Sequence, residues 1–495
     1  MKLAYCLMAA ISLLAFKSEA FGRVEWNGST LKVHPARVSA YPINQVYPGY
    51  QRPVEQTKID TFVSFDMSAK GELTFVADEK LDEEEITILP LCEKREFSVN
   101  GNTLKIAVDK PQQFVVIYGK DKHALHVFAN PPFVKPTTGD IIYFGPGEHY
   151  VGAVAPKSNQ TVVIDEGAIV YGSIQVFHAE NVKITGRGIV DCSYQFRDEQ
   201  SGAAFENGIK AGFSNCGGGA QKAVTALTTA WATNVVVEGI TFRDPPRWTV
   251  IIRTQSKNVT LDNIKLIGLW RYNADGINMC ASEDITVRNS FVRSFDDCII
   301  ARGRALEKSG RVTRNILVEN CVLWCDWGKC LEVWAGCGDC LIERVAYRNI
   351  KCISSDWFVA DVTTWYGSAN TRIKDILMEN IDVDFWGERY QGYMQKNRDD
   401  VEFPRKLRDS SMLFMVDVAR WGKDIGNQQC EKMDDLSCFD VKYENLTFRN
   451  FRCHGKVPPK LMARVKATPN TPLEIKNVKV ENMPEELDMK LIGVK

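Results

Sequence analysis

Three aspartates lie in two short segments of similar pattern. Asp275 falls in the segment 273–277, which reads Asn-Ala-Asp-Gly-Ile, and Asp296 and Asp297 fall in the segment 295–299, which reads Phe-Asp-Asp-Cys-Ile. Stacked like charges are destabilising, so folding alone gives no reason to collect three acids in register. A carboxyl whose pKa is raised by its neighbours can protonate a glycosidic oxygen, while ionised carboxylates activate a water on the opposite face of the sugar. The trio therefore predicts glycosidic hydrolysis with inversion.

The elements that must position these aspartates are short alternating strands. From about residue 138 a pattern recurs, with Asn or Asp followed by alternating aliphatic residues. Its anchors are separated by 53, 24, 26, 31, 24, 36, 70 and 32 residues, and the short gaps match one coil of a solenoid. A parallel β-helix over residues 136–495 fits this pattern best, and aligning Gly276 with Cys298 then places Asp275 over Asp297, one coil away. The anchors are Asn181, Asn234, Asn258, Asp284, Asn315, Asp339, Asp375, Asn445 and Asn477.

Two further segments precede the predicted solenoid. Residues 21–135 read as short strands and turns, including the hairpin signal Asn100-Gly101, and predict a small antiparallel β-sandwich domain. Residues 1–20 contain Lys2, an apolar run over 3–16 and Ala20, which is typical of a secretory signal peptide. The apolar run is shorter than the ~20 residues that span a bilayer. We therefore expect a secreted or periplasmic protein without membrane insertion.

Charge and histidine content exclude several classes of function. The chain has 61 Lys and Arg against 62 Asp and Glu, a formal net charge of −1, which gives no basic surplus for a nucleic-acid partner. None of its six His lies between residues 179 and 453. A histidine base or a histidine-bound metal is therefore excluded from the region of the three aspartates. We expect a polysaccharide or oligosaccharide substrate, no cofactor and no metal.

The aspartate segments resemble the motifs of two enzyme families. The run 273–276 followed by Asp296 and Asp297 resembles the Asn-Thr-Asp and Asp-Asp motifs of polygalacturonases, glycoside hydrolase family 28. It is also similar to the Asp-Gly and Asp-Asp motifs of family 49 dextranases and isopullulanases. Both families are right-handed parallel β-helices that act with inversion, and family 49 adds an amino-terminal β-sandwich. The resemblance implies that Asp296 is the general acid and that Asp275 and Asp297 activate water.

The chain departs from the family 28 pattern at two places. Where polygalacturonases have Gly-His-Gly, the run 328–331 reads Gly-Lys-Cys-Leu, so Lys329 replaces the histidine. The family's next motif, Arg-Ile-Lys, also occurs in this chain, at 372–374, directly before the anchor Asp375. The family places the motif earlier in the coil, at the position of 359–361 here, so the identity at 372–374 is a chance match. Both departures favour the family 49 side and a neutral or weakly charged glycan.

Aromatic residues are concentrated in the same part of the predicted solenoid. Eight of the 11 Trp lie between residues 248 and 386. Outward aromatic rings can stack on the apolar faces of sugars, although half or more of these rings could instead cap or fill coil corners. The candidates for substrate binding share the coil edge that carries the acids: Arg247, Trp248, Trp270, Tyr272, Lys329, Glu332 and Trp334.

Two other functions remain open for this solenoid. The first is a polysaccharide lyase in which the three aspartates bind Ca²⁺ and Lys329 or Arg302 acts as the base. The second is a glycan-binding or adhesive solenoid without catalysis.

The cysteines admit more than one state. Six of them lie between residues 321 and 352, at irregular spacings that favour disulfides or small buried thiols over a zinc site at Cys337 and Cys340. Cys430 and Cys438 flank a polar loop and are a predicted pair.

Overall fold

The computed structural model describes residues 22–40, 54–195, 225–271, 273–303, 312–335, 339–355, 358–365, 370–386, 410–419, 440–466 and 473–494. Several sequence predictions lie outside these residues: the signal peptide over 1–20, Tyr272, Cys337, Cys430 and Cys438. Within the described residues the helical elements are two 3-10 turns, Val54–Gln56 and Glu83–Glu85. Within the same residues, no helix has the length and apolarity needed to cross a membrane.

The first ten strands form two five-stranded sheets. One sheet has the order β2-β1-β5-β8-β7 and the other has the order β3-β4-β10-β9-β6. Their bounds are β1 Arg23–Trp26, β2 Ser29–Thr30, β3 His34–Ser39, β4 Thr57–Asp66, β5 Gly71–Val76, β6 Thr87–Leu89, β7 Phe97–Asn100, β8 Thr103–Val108, β9 Gln112–Tyr118 and β10 His123–Asn130. Side chains from both sheets, including Phe65, Phe75, Leu104 and Phe114, share one hydrophobic core.

The predicted β-sandwich is confirmed with one difference in strand direction. β1 with β5, β5 with β8, and β9 with β10 are antiparallel, as predicted. β4 and β10, however, pair in parallel, with Val63 opposite Val127. Fifty-six residues separate the ends of these two strands in sequence, so no tight turn forces them to run in opposite directions.

By contacts the chain divides into two compact units. The first comprises Met1–Pro35, Asp60–Ile88 and Lys94–Pro132, and the second comprises Ala36–Ile59, Leu89–Glu93 and Phe133–Lys495. The segments Ala36–Ile59 and Leu89–Glu93 thus belong with the solenoid. The domain bounds 21–135 and 136–495 stay predictions.

The second unit contains the parallel β-helix, a continuous sheet of 27 strands among the described residues. Its strands are β11 Asp140–Phe144, β12 Gly147–Val154, β13 Gln160–Ile164, β14 Ala168–Phe177, β15 Glu180–Gly186, β16 Ile189–Asp191, β17 Leu227–Ala230, β18 Thr233–Glu238, β19 Thr241–Arg243, β20 Val250–Arg253, β21 Lys257–Asp262, β22 Lys265–Leu269, β23 Ile277–Cys280, β24 Glu283–Arg288, β25 Phe291–Ser294, β26 Ile299–Gly303, β27 Val312–Glu319, β28 Val322–Cys325, β29 Lys329–Ala335, β30 Leu341–Ser355, β31 Phe358–Trp365, β32 Thr371–Phe385, β33 Ser410–Ala419, β34 Val441–Gly455, β35 Lys460–Lys466, β36 Leu473–Glu481 and β37 Leu487–Ile492.

Each coil contributes strands to three stacks, named A, B and C in chain order. Stack A contains β15, β18, β21, β24 and β27, and stack B contains β16, β19, β22, β25 and β28. Stack C contains β17, β20, β23, β26, β29, β31 and β33. All of these pairings are parallel, and alternate aliphatic side chains from the three stacks fill one core. The parallel β-helix predicted from the repeat, with the right-handed form that the family resemblance implies, is confirmed.

The recurring Asn and Asp anchors have a physical cause. All nine have a positive φ, between 53° and 59°, which places each at a left-handed corner that Asn and Asp tolerate better than other residues with a side chain. Their side chains form ladders from coil to coil: Asn234 donates to Asn181 at 2.9 Å, and Asn258 donates to Asn234 at 2.7 Å. The Asn and Asp residues that repeat in the sequence therefore mark the corners of successive coils.

Four of the described cysteines are free thiols in the solenoid core. Cys298, Cys325, Cys330 and Cys352 are all fully buried there. Disulfides are not shown for the described part of the 321–352 group, and Cys325, Cys330 and Cys352 fit the buried-thiol alternative. Irregular spacing follows here from core positions on successive coils, where Cys acts as a small apolar side chain.

Candidate active site

The coil register brings the three aspartates to one corner, between stacks B and C. Ile277, Ile299 and Leu331 are aligned in adjacent strands of stack C. The backbone N–H of Gly276 donates to the carbonyl oxygen of Asp297 at 2.9 Å, so Asp275 and Asp297 lie on successive coils. Asp296 precedes Asp297 at the same corner.

Core packing turns these carboxyls away from the solenoid interior. Ala274, Phe295 and Cys298 are fully buried in the core, and the Phe295 ring stacks on Trp327 of the next coil with 5.5 Å between centroids. Asp296 and Asp297 lie between Phe295 and Cys298, in the bend that joins β25 to β26, and their carboxyls are not part of this apolar core.

Two glycines permit the close approach of the coils at this corner. A Cβ on Gly276 would lie 2.3 Å from the carbonyl oxygen of Cys298, and a Cβ on Gly328 would lie 2.5 Å from Oδ1 of Asp297. Both distances are shorter than any van der Waals contact. A side chain at Gly276 or Gly328 would therefore push neighbouring coils apart at the carboxylates.

Asp275 is the most deeply buried member of the trio, with 2% of its surface exposed. Its Oδ2 accepts a hydrogen bond from Asn278 Nδ2 at 3.2 Å and lies 3.6 Å from Arg302 Nη2. Its Oδ1 is buried without a hydrogen-bond partner among the described residues. Burial raises the pKa of Asp275 well above its ordinary value, and the charge of Asp296 raises it further, while Arg302 opposes both.

Asp296 and Asp297 have different surroundings although they are adjacent. Asp296 Oδ2 accepts from Asn273 Nδ2 at 3.1 Å, and its Oδ1 accepts from the backbone N–H of Asp297 at 3.1 Å. Asp297 Oδ1 accepts from the backbone N–H of Lys329 at 3.0 Å and lies 3.7 Å from the Lys329 ammonium. A cation therefore faces Asp297, whereas these hydrogen bonds to Asp296 come from neutral donors.

Lys329 joins the trio to two more buried acids. Its ammonium lies 2.7 Å from Glu332 Oε1 and 3.5 Å from Asp361 Oδ2. Burial lowers the pKa of Lys329, but the charges of Asp297, Asp361 and Glu332 outweigh burial and hold it well above its ordinary value. Burial raises the pKa of Asp361 and of Glu332. Lys329 is thus a protonated cation shared by three carboxyls.

Asp361 is the site residue that the sequence prediction missed. It aligns with Glu332 in the next strand of stack C, and its Oδ1 is buried without a hydrogen-bond partner among the described residues. The sequence does contain a signal for Asp361: it follows Glu332 by 29 residues, which is about one coil, so the two acids are expected to be neighbours in the stack. No motif marks Asp361, so the sequence shows it only as part of the run 359–361 that departs from Arg-Ile-Lys.

The predicted tryptophans divide into two environments. The Trp248 ring lies 4.5 Å from both the Arg247 and the Arg302 guanidinium, and the Trp334 ring lies 4.4 Å from Arg302. Arg302 therefore links the aromatic rings to Asp275 and Glu332, because it lies 3.5 Å from Glu332 Oε2. Trp270 donates from Nε1 to Asp244 at 2.8 Å, and its ring lies 4.9 Å from the Arg271 guanidinium. All three rings therefore contact cations, but Trp270 does not share Arg302.

A family comparison covers the region of this corner. Residues 154–384 match the sequence model described as Glycosyl hydrolases family 28, and this range contains the trio, Lys329 and Asp361. The chain resembles the β-helix glycoside hydrolases of families 28 and 49.

Curated relatives of both types match the chain. A dextranase from Arthrobacter sp. (strain CB-8) is 23% identical over 270 residues, which is 50% of this chain and 40% of the relative. An exopolygalacturonase from Cochliobolus carbonum is 24% identical over 249 residues, which is 44% of this chain and 52% of the relative. The chain therefore spans about half or less of the length of these relatives.

A solved structure shares the fold over nearly the whole chain. Dex49A from Penicillium minioluteum superposes with a TM-score of 0.53 at 12% identity and covers 94% of this chain and 93% of that one. At this identity the similarity shows the fold alone.

Proposed function

We propose that this protein is a secreted glycoside hydrolase that cleaves a polysaccharide or oligosaccharide with inversion. Asp296 is the general acid, and Asp275 and Asp297 are the carboxylates that hold and deprotonate the attacking water. The observation that carries the proposal is the stacking of Asp275 and Asp297 on successive coils with Asp296 beside them. The match of residues 154–384 to the family 28 model supports the same chemistry.

The surroundings of the two adjacent acids support their division of roles. A general acid must hold its proton until the leaving oxygen takes it, and hydrogen bonds from neutral donors favour ionisation less than a nearby cation does. Asp296 accepts from the Asn273 amide and a backbone N–H. Asp297 instead lies 3.7 Å from the Lys329 ammonium.

Asp275 can activate water only after it ionises. Its burial raises its pKa well above the ordinary value, and Arg302 and Asn278 act against this effect. The proposed mechanism therefore requires a pH at which Asp275 has lost its proton while Asp296 keeps one. Two carboxyls that compete for a single proton are a known arrangement for acid–base catalysis.

A neutral glycan fits this site better than a polyuronate. Two cations, Lys329 and Arg302, are paired with four carboxyls of this site: Asp275, Asp297, Glu332 and Asp361. Both cations are already engaged by these acids, so neither is left to bind the carboxylate of an acidic sugar. We therefore propose a neutral substrate, and dextran is the first candidate because a dextranase is among the relatives.

The lyase alternative requires Lys329 or Arg302 to accept a proton. Neighbouring acids hold the pKa of Lys329 well above its ordinary value, and Glu332 and Asp275 likewise raise the pKa of Arg302 above its ordinary value. A group that stays protonated cannot act as a base. A chelator is therefore expected to leave activity unchanged, and the products are expected to lack the ultraviolet absorbance of an unsaturated sugar.

A panel of glycans tests the proposed activity. The wild-type protein is incubated with dextran, other neutral glucans and polygalacturonate, and released reducing ends are measured. Asp296→Asn is the test variant. Asp339→Asn is its matched control, because Asp339 is an exposed corner residue at φ 56° that Asn also tolerates. The proposal predicts cleavage of a neutral glycan by wild type and control, and its loss in Asp296→Asn; equal cleavage by all three, or none by wild type, contradicts it.

A further inference from the structure

A second cluster of chemically active side chains lies on the solenoid outside the aspartate corner. One sulfur, one imidazole nitrogen and one carboxylate oxygen, from Cys92, His454 and Asp382, lie within 4.8 Å of one another. Cys92 belongs to the segment Leu89–Glu93, which groups with the solenoid. His454 is the only His of the chain after residue 178. Sulfur, imidazole and carboxylate together are donors that zinc prefers.

Strand register supplies a fourth donor. Asp382 and Asp384 lie two residues apart on β32 and are paired with Arg452 and His454 on β34. The intervening Val383 packs in the solenoid core, so both aspartates face the opposite side. Asp384 is therefore on the same face as Asp382 and directly opposite His454.

The two carboxylates are oriented by neighbouring donors. Arg452 donates from Nε to Asp382 Oδ1 at 2.8 Å and from Nη2 to Oδ2 at 2.7 Å. The backbone N–H of Leu91 donates to Asp384 Oδ2 at 2.8 Å. The other oxygen of Asp384, Oδ1, is buried without a hydrogen-bond partner among the described residues, although only 6% of Asp384 is exposed. Outer-shell donors of this kind hold metal ligands in place.

The nearby cations are already paired with acids. Arg452 is engaged by Asp382, and Lys351 forms an ion pair with Glu93. His454 Nε2 lies 2.8 Å from Asp382 Oδ1, which is hydrogen-bond distance. A divalent cation bound by both residues would replace this hydrogen bond and would displace the acidic protons of its ligands.

We propose that Cys92 Sγ, an imidazole nitrogen of His454, Asp382 and Oδ1 of Asp384 bind one Zn²⁺. The bond lengths of tetrahedral zinc, about 2.0–2.3 Å, place ligand atoms about 3.3–3.8 Å apart. The atoms of Cys92, His454 and Asp382, which lie within 4.8 Å of one another, therefore approach by up to roughly 1 Å on binding, and Asp384 Oδ1 turns toward the ion. The two aspartates and His454 lie on the stacked strands β32 and β34, so the ion fixes the segment Leu89–Glu93, which contains Cys92, to these two successive coils. The site is independent of the proposed hydrolase activity.

Metal titration of the full-length protein tests this site. The chelator-treated protein is titrated with Zn²⁺ against a zinc-binding dye, and with Co²⁺ while the near-ultraviolet thiolate-to-cobalt charge-transfer band is recorded. We expect about one equivalent of zinc and a cobalt–thiolate band in the wild type. Cys92→Ser should abolish that band, and His454→Gln should weaken zinc binding by about 10- to 100-fold or more.

Cys453→Ser is the matched control, because Cys453 adjoins His454 but packs against the solenoid core. It should bind zinc and give the cobalt band as the wild type does. Thermal unfolding supplies a second readout, since zinc should raise the melting temperature of the wild type and of Cys453→Ser but not of Cys92→Ser. A wild type without a thiolate band, or a Cys92→Ser protein that binds zinc as tightly as the wild type, overturns the proposal.

Discussion

The backbone N–H of Lys329 donates a hydrogen bond of 3.0 Å to Oδ1 of Asp297, and the ammonium of the same lysine lies 3.7 Å from that oxygen. One residue therefore both donates a hydrogen bond to a carboxyl of the proposed catalytic trio and places a positive charge beside it. Lys329 falls at the position where the Gly-His-Gly motif of family 28 enzymes has its histidine. The lysine ammonium also contacts Glu332 and Asp361, so its charge belongs to a network of buried acids.

Removal of Lys329 should destabilise the fold in a pH-dependent way. Lys329→Met leaves Asp297, Glu332 and Asp361 without their shared cation, and breaking a buried ion pair costs about 3–5 kcal/mol of the free energy of unfolding. The loss should be largest at neutral pH and should shrink as pH falls, because protonated carboxyls need no cation. Denaturant unfolding at several pH values measures this. Asp361→Asn in the same background should restore part of the stability, and an additive double mutant would show that the two residues do not interact.

Asp296 and Asp275 should respond differently to a substrate with a good leaving group. Asp296→Asn should lower kcat on the glycan by about 10²–10⁴-fold, the usual contribution of a general acid. It should retain activity on the glycosyl fluoride of the same sugar, because fluoride departs without a proton. Asp275→Asn should be inactive on both substrates, since it loses the carboxylate that activates water. If the two variants lose fluoride hydrolysis equally, the assigned roles are incorrect.

Arg302 should set the acidic limit of activity. Its charge lowers the pKa of Asp275 against the effect of burial. Arg302→Gln should therefore raise that pKa, so that Asp275 ionises only at higher pH and the acid limb of the kcat/KM profile moves to higher pH. The position of the limb is the readout, because Arg302 also contacts Trp248 and Trp334 and the variant can change binding.

The exposed Arg314 provides the control for this shift. It pairs with Glu283 at 2.7 Å, away from the trio. Arg314→Gln should leave the acid limb where the wild type has it. An unchanged limb in Arg302→Gln would show that Asp275 does not govern the profile.

The corner ladders should contribute measurably to stability. Asn380 has φ 56°, donates to Asn349 Oδ1 at 3.0 Å and accepts from Asn450 at 2.9 Å. Asn380→Ala loses both hydrogen bonds and strains a left-handed corner, which should cost about 2 kcal/mol or more. Asn380→Gly removes only the hydrogen bonds, so it should cost less. Equal losses in the two variants, measured by thermal unfolding, would mean that backbone conformation contributes nothing here.

Much of the fold could be predicted because its repeat is local. The anchors at Asn181 and Asn234 are the residues that a left-handed corner selects, so the coil spacing is visible in the sequence. The parallel pairing of β4 with β10 was missed because it joins strands that are distant in the chain, where no turn signal operates. The state of the cysteines could not be predicted, because a small buried thiol and a disulfide-bonded cysteine are the same residue in the sequence.

The candidate site was only partly predictable for a similar reason. Asp275, Asp296 and Asp297 are marked by short motifs, and the coil length relates them. Asp361 lies in no motif. Only its pairing with Glu332 in adjacent strands shows that both acids contact the Lys329 ammonium. The zinc donors Cys92 and His454 are 362 residues apart in sequence, so only the fold could bring them together.

The stereochemistry of the first product tests the central claim most directly. Proton NMR records the anomer released from a cleaved glycan before mutarotation mixes the two forms. An inverting pair of carboxyls predicts the opposite configuration to that of the substrate linkage, for example the β-anomer from α-linked dextran. A product with retained configuration, or an unsaturated sugar, would contradict the proposed roles of Asp275, Asp296 and Asp297.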